Sequence, residues 1–285
     1  MKVGAHVSTA GGVDKAIDRA LEMGAEAVQI FAAAPQSWRR REFTPEEMDA
    51  FRARAGEAGI GPNYIHGPYL INLASPDPSL VGKSVEALVR DMEVCHRLGM
   101  QGVIFHLGSH KGAGLEAQFR QVVECILQVL SRTPEDVWLV LENSAGMGGA
   151  VGSRFPELGR IVKAAGHPRV KVCLDTQHMF AAGYDVRTRE GLEAAMEEFD
   201  REVGLERLVA VHANDSKCPL AGGVDRHENI GQGYIGREGF LNILSHPAFR
   251  GLPFLLEVPG ADSSGPDRPN VEALKELRAA AHSAH

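Results

Sequence analysis

Cysteine is scarce and scattered in this 285-residue chain: Cys95, Cys125, Cys173 and Cys218 form no C-x-x-C pair. That spacing offers neither a disulfide framework nor a thiolate zinc site, so reduced thiols are expected. No apolar run approaches the roughly 18 to 20 residues that span a membrane. The opening MKVGAHVSTAGG reads as a strand and not as the apolar core of a secretory signal. A cytoplasmic location with no membrane partner is therefore expected. Positive charge is in deficit as well, with 30 Lys+Arg against 37 Asp+Glu for a net −7. Taken alone, this argues against a polyanionic partner such as nucleic acid.

What is present is a globular composition, 44% hydrophobic and 24% charged, at a length near the roughly 250 residues typical of a (β/α)8 barrel. Eight short β-like runs are expected at 3–7, 27–32, 62–66, 102–107, 137–142, 170–175, 208–212 and 253–258. Helical patterns fall between them at 13–23, 45–58, 83–98, 115–130, 155–165, 189–203 and 240–244. Strict β/α alternation implies an all-parallel sheet, and eight units imply closure. The fold class is α/β, a single (β/α)8 TIM barrel domain over 1–285. Gly24, Gly59, Gly99 and Gly166 stand where left-handed helix C-caps use glycine, and Thr44-Pro45-Glu46-Glu47 reads as an N-cap with a first-turn proline. No repeat or linker interrupts the pattern. The stretch 216–239, rich in glycine and charge, lacks clear periodicity, and long βα loops in a barrel usually carry function.

The run VKVCLDTQHMF is the most informative. Val170, Val172 and Leu174 alternate as a strand does, and the run ends in Asp175 with His178 three residues into the following loop. An N-capping Asp beside a surface His would explain that segment alone. The same design recurs, however: His66, His106, Glu142, Asp175, His212 and Glu257 all fall at strand ends, and Asp225 and His227 occur as D-R-H in the long loop. In a barrel those ends converge on the face where active sites lie. Packing five imidazoles and four carboxylates together without neutralisation costs several kcal/mol each. Bound cations remove the cost. All-His/carboxylate ligation suits Zn2+, Mn2+ or Fe2+ better than calcium or magnesium, and nine ligands with one bridging carboxylate supply about three ions. Three divalent ions would bring the net charge from −7 to roughly −1, and a phosphate-bearing substrate is no longer excluded.

GAHVSTAGG, HGPYLINLASP, LENSAGMGG, CLDTQHMFAAGYD, HANDSK, DRHENIGQGYIG and LLEVPG resemble, in order and over nearly the whole chain, the signature motifs of the endonuclease IV family of apurinic/apyrimidinic (AP) endonucleases. The resemblance implies a (β/α)8 barrel with three zinc ions per chain that hydrolyses the phosphodiester 5′ to an abasic site in double-stranded DNA, leaving a 3′-hydroxyl. It implies one zinc on His66, His106 and Glu142, a second on Glu142, Asp175, His212 and Glu257, and a third on His178, Asp225 and His227. Glu142 would bridge two ions around a hydroxide nucleophile. It also implies a DNA-penetrating pair at Tyr69 and Leu70.

Two positions depart from the family pattern without being ligands: Gln177, where cysteine is common, and Met147, in the glycine-rich loop after Glu142. Gln36 stands where some relatives place an arginine that enters DNA. Trp38, Arg39, Arg40, Arg41, Lys111, Lys217 and Arg226 are candidate DNA-backbone contacts, and His6 and His110 could orient ligands or serve the core. A monomer is expected. The competing readings are a divalent-metal sugar isomerase or epimerase on a related barrel, which leaves the Asp225/His227 pair unexplained, and a metal-stabilised DNA-binding module without catalysis.

Overall fold

The computed structural model describes residues 1–38 and 42–283. Eight parallel strands close a barrel: β1 (Lys2–His6), β2 (Val28–Phe31), β3 (Tyr64–His66), β4 (Gly102–His106), β5 (Trp138–Glu142), β6 (Val170–Asp175), β7 (Leu208–His212) and β10 (Pro253–Leu256). Each strand pairs with its sequence neighbours, and β1 meets both β2 and β10. A small antiparallel pair, β8 (Asp215–Ser216) and β9 (His227–Glu228), lies in the stretch after β7. Around the barrel run α1 (Lys15–Met23), α2 (Pro45–Ala58), α3 (Pro78–Arg97), α4 (Leu115–Ser131), α5 (Phe155–Ala165), α6 (Thr176–Ala181), α7 (Arg189–Glu202), α8 (Gly236–Ser245) and α9 (Arg268–Ser283). No described helix is long and apolar enough to cross a membrane.

The expected alternation holds, with shifts that have local causes. Helix α3 starts at Pro78 and not at Lys83, because Asp77 accepts from Ser79 N and Pro78 occupies the first turn. Helix α8 is longer than 240–244, and α9 was not anticipated. In α2, Thr44 Oγ1 accepts from Glu47 N at 3.2 Å, Glu47 returns the bond to Thr44 N at 3.0 Å, and Gly59 ends the helix at φ 64°. The largest correction concerns 176–178, expected as loop. Asp175 caps a short helix there by accepting from His178 N at 2.9 Å.

Most of the apolar core lies between barrel and helices, where each fully buried Val, Leu, Ile or Phe contributes about 1.5–3 kcal/mol. A second cluster fills the barrel itself: Ala27, Tyr64, Ile104, Val140, Cys173, Ala210 and Leu255. Gly4 is the eighth member, since a Cβ there would strike Leu255 and Ala27. Side chains two residues apart on a strand share a face. Two residues beyond these eight come His6, Gln29, His66, His106, Glu142, Asp175, His212 and Glu257. An apolar layer thus plugs the barrel, and the next layer towards its carboxyl end is polar at every strand.

Candidate metal centre

The strand ends and the 216–236 loop bring five imidazoles and four carboxylates together. Three groups have donor atoms within 4.8 Å of one another and could each hold a metal ion: His66, His106 and Glu142; Glu142, Asp175, His212 and Glu257; and Asp175, His178 and His227. Glu142, shared by the first two, turns Oε2 to His66 Nε2 at 3.2 Å and His106 Nε2 at 3.4 Å, and Oε1 to His212 Nδ1 at 2.9 Å and His178 Nδ1 at 3.4 Å. Asp225 lies outside the third group but faces it, with its oxygens 3.3 Å from His178 Nε2 and 3.2 Å from His227 Nε2. Its side chain remains 46% exposed, so it forms the wall of the cluster towards solvent.

Backbone and amide oxygens select one nitrogen in four of the five rings. His66 donates Nδ1–H to Gly67 O at 2.7 Å, His178 Nδ1–H to Asn143 O at 2.8 Å, and His227 Nδ1–H to Glu257 O at 3.3 Å, leaving their Nε2 lone pairs to the cluster. In His212 the assignment is reversed. Its Nε2–H meets Gln29 Oε1 at 2.8 Å, and Nδ1 faces the carboxylates. An oxygen partner on the far nitrogen is how proteins fix a metal-ligating histidine. The Nε2 atoms of His178 and His227 are buried and, although Asp225 oxygens stand 3.2–3.3 Å away, make no well-directed hydrogen bond among the described residues. Buried nitrogens held so loosely are costly unless a cation takes up their lone pairs. The donor set, all imidazole and carboxylate, fits zinc, manganese or iron.

Electrostatics point the same way. Burial lowers His106, but in the other cluster groups that shift the net effect favours charge although burial opposes it. Against burial, Asp175, Asp225 and Glu142 hold His178 well above its ordinary range. Against burial, Cys173, Glu257 and Glu142 raise His212 likewise, and Asp175 and Asp225 raise His227 to about 9. Burial is opposed in the carboxylates too: His106, His212 and His66 pull Glu142 well below its usual value, His212 leads in drawing Glu257 to about 2, and His178 and His227 depress Asp225. The carboxylates demand positive charge, and protons on the rings supply it when no cation does.

Three amides complete the frame. Asn214 Nδ2 donates to Asp175 Oδ2 at 2.7 Å, while its Oδ1 accepts from Glu257 N at 2.9 Å. Asn143 Oδ1 accepts from Asp175 N at 2.7 Å. Gln29 joins His212, Glu257 and His6. Sequence reading singled out none of these three as site residues, although Asn143 and Asn214 lie inside the motifs LENS and HANDS. Asp215, buried and also unanticipated, gathers the backbone N–H groups of Gly231, Gly233 and Ile235 at 2.9–3.0 Å. It thereby orders the loop that carries Asp225 and His227.

Around the mouth, Tyr69 is 55% exposed. Its ring centroid is 5.5 Å from that of His66, and its N–H donates to Pro35 O at 2.9 Å. Leu70 is half-buried, Gln36, Lys111, Lys217 and Arg226 are exposed, and Trp38 packs partly against the core. Arg39, Arg40 and Arg41 lie outside the described residues. Met147 and Tyr234, the latter not singled out from sequence, are also exposed. His110 Nδ1 accepts from Gly112 N and Gly114 N and so shapes a turn. Gln177 Nε2 donates to Ser216 Oγ at 3.2 Å and Val224 O at 2.9 Å, tying α6 to the long loop.

Comparison with known proteins narrows the chemistry. Residues 17–280 match the family described as xylose isomerase-like TIM barrels. A probable endonuclease 4 from Methanoculleus marisnigri is 45% identical over 98% of this chain and 99% of its own. One from Aquifex aeolicus is 41% identical over 96% of each. Endonuclease IV from Thermus thermophilus superposes with a TM-score of 0.86 at 36% identity, covering both chains completely. A D-tagatose 3-epimerase-like protein reaches a TM-score of 0.72 at 17% identity, which reflects the shared barrel alone. Since full-length identity of this order accompanies the endonucleases and not the epimerases, the chain belongs to the endonuclease IV family of AP endonucleases.

Proposed function

We propose that this chain is a metal-dependent AP endonuclease of DNA base-excision repair, hydrolysing the phosphodiester 5′ to an abasic site in double-stranded DNA to leave a 3′-hydroxyl. It acts in the cytoplasm as a monomer on three zinc ions, with Mn2+ or Fe2+ able to replace zinc at some positions. The observation that carries this reading is Glu142, whose two oxygens face different imidazole pairs inside a cluster of further carboxylates. An isomerase site with one or two divalent metals leaves a third group of donors reaching to Asp225 and His227 unexplained.

His66, His106 and Glu142 hold one ion, and Glu142, Asp175, His212 and Glu257 a second. His178, Asp225 and His227 hold a third, with Asp175 close by. When bound, such ions acidify water and neutralise charge on the attacking and leaving oxygens of a phosphodiester. The protein's own part is arrangement. Glu142 sets the spacing of the first two positions, and the carbonyl-anchored rings keep their lone pairs aimed without reorganisation. Asp225, half in solvent, meets the phosphate side. Tyr69 and Leu70 follow His66 by three and four residues on a short loop and fill the gap left by the flipped abasic nucleotide, which is cheap to extrude because it has no base to unpair. Gln36, Trp38, Arg39, Lys217 and Arg226 contact the DNA strands around that gap.

The test pairs elemental analysis with incision of a synthetic duplex carrying one abasic site. About three ions per chain and a 3′-hydroxyl product are expected. One or two ions per chain with ketose epimerisation and no incision would overturn the reading.

A further inference from the structure

Two members of the polar layer, Gln29 on β2 and His6 on β1, are not needed as ion ligands, yet they contact residues that are. Gln29 is fully buried. Its Nε2 donates to Glu257 Oε1 at 2.6 Å and lies 3.1 Å from His6 Nδ1, and its Oε1 is 2.8 Å from His212 Nε2. We infer that Gln29, keyed by His6, is a positioning residue that fixes His212 as an Nδ1 donor and steadies Glu257, and so sets the affinity of the ion proposed on Glu142, Asp175, His212 and Glu257. The inference rests on the metal reading above.

The argument is one of donors and acceptors. An amide has two N–H groups and one oxygen. Glu257, a carboxylate, can only accept, so it requires the NH2 end. His6 Nδ1 takes the second N–H only as a lone pair, which a neutral ring provides; burial leads in holding His6 down to about 4. With both N–H groups committed, the oxygen is left to His212, whose Nε2 must then carry the proton. Inverting the amide would set its oxygen against the Glu257 carboxylate and its NH2 against the His212 ring. One tautomer of His212 survives. The other three cluster rings with a fixed far nitrogen use a main-chain carbonyl, so His212 alone among these depends on a side chain that substitution can remove. Strand geometry supplies the reach: Gln29 lies two residues beyond Ala27 of the barrel plug and pairs in register with His6.

The experiment uses full-length zinc-loaded protein. Gln29→Leu keeps similar bulk but cannot hydrogen-bond. Partners of this kind typically govern ligand affinity by 10- to 100-fold. In titration against a chromophoric chelator, Gln29→Leu should release one ion per chain at roughly 10- to 100-fold lower chelator concentration than wild type, the others being retained. Long-range 1H–15N correlation should show His212 protonated at Nε2 in wild type and altered in the variant. His6→Phe leaves Gln29 and its bonds to Glu257 and His212 in place and keeps a ring against Phe31, removing only the acceptor of one Gln29 N–H. It should weaken the same ion by a smaller factor, and it serves if Gln29→Leu fails to fold. Unchanged chelator profiles in a folded Gln29→Leu, or in His6→Phe where only that variant folds, overturn the inference. Wild-type protein that binds no ions would instead remove the metal reading on which it rests.

Discussion

The Asp175 carboxylate serves two structures at once: Oδ1 accepts the main-chain N–H of His178 at 2.9 Å, while Oδ2 turns into the cluster, 3.7 Å from His227 Nε2. A capping residue and a cluster carboxylate are the same side chain, so the two roles are separable by substitution. Asp175→Asn keeps an oxygen for the cap but loses the acceptor of Asn214 Nδ2 and the charge that raises His178 and His227. Asp175→Ala loses the cap as well, so stripped Asp175→Ala should be less stable than stripped Asp175→Asn by about 0.5–2 kcal/mol. Both should lose bound metal. Equal denaturation midpoints for the two stripped variants would disprove the dual role.

Glu142→Gln removes the charge that faces both imidazole pairs while preserving shape. Incision of the abasic duplex should fall by at least about 100-fold, with native circular dichroism and reduced metal content. Wild-type turnover at full metal loading would show that Glu142 does not link the ion positions.

The raised histidines give a pH dependence of definite sign in chelator-treated protein. A group whose folded pKa exceeds its unfolded value stabilises fully below the unfolded value and loses that contribution as pH rises through the folded one. For His227 the window runs from 6.5 to about 9, and His178 and His212 shift in the same direction. Stripped protein should therefore melt at lower temperature as pH rises across this window. Zinc-loaded protein should not, because deprotonated ligands bind metal more tightly. Thermal melts with and without chelator decide; parallel pH profiles for the two forms would contradict the expectation.

Tyr69→Ala/Leu70→Ala should weaken binding to abasic duplex by about 1–3 kcal/mol per stacking contact, with metal content and hydrolysis of a small activated phosphodiester intact. The wedge idea fails if the double variant binds the duplex as tightly as wild type.

Gly233 tests the loop that carries Asp225 and His227. A Cβ there would collide with the Ser216 carbonyl and the Asp215 carboxylate. Gly233→Ala should cost about 1–3 kcal/mol, as expected for disrupting a buried hydrogen-bonded carboxylate, and should lower occupancy of the third ion position in preference to the others. A variant with wild-type stability and full metal content would mean that the loop is held by something other than Asp215.

The barrel was legible because alternation of short apolar runs with 3.6-period segments is a chain-wide signal, and because His, Glu and Asp at strand ends are conspicuous beside Val, Ile and Leu. The proximity of Asp175 to His227 was not legible: it arises from closure of β6 against β7 and from the fold of the 216–236 loop, neither of which spacing encodes. Gln29 escaped notice for a different reason. In AVQIF it reads as one polar residue on an ordinary strand, and only the parity shared with Ala27 marks it as inward. Helix α6 was hidden by length, since six residues are too few for periodicity, although the Asp175 cap was a readable sign.

The two-residue offset between plug and mouth has a bearing on how the chain matures. A strand that slipped by one residue would turn its polar end residue outward and an apolar one into the cluster; five of the eight barrel strands end in a cluster residue, and in a sixth, β10, Glu257 follows directly. Ion uptake would then act as a proofreading step: a barrel with any of those six strands out of register could not assemble the full donor set, and only correctly threaded molecules would be trapped by the metal they capture.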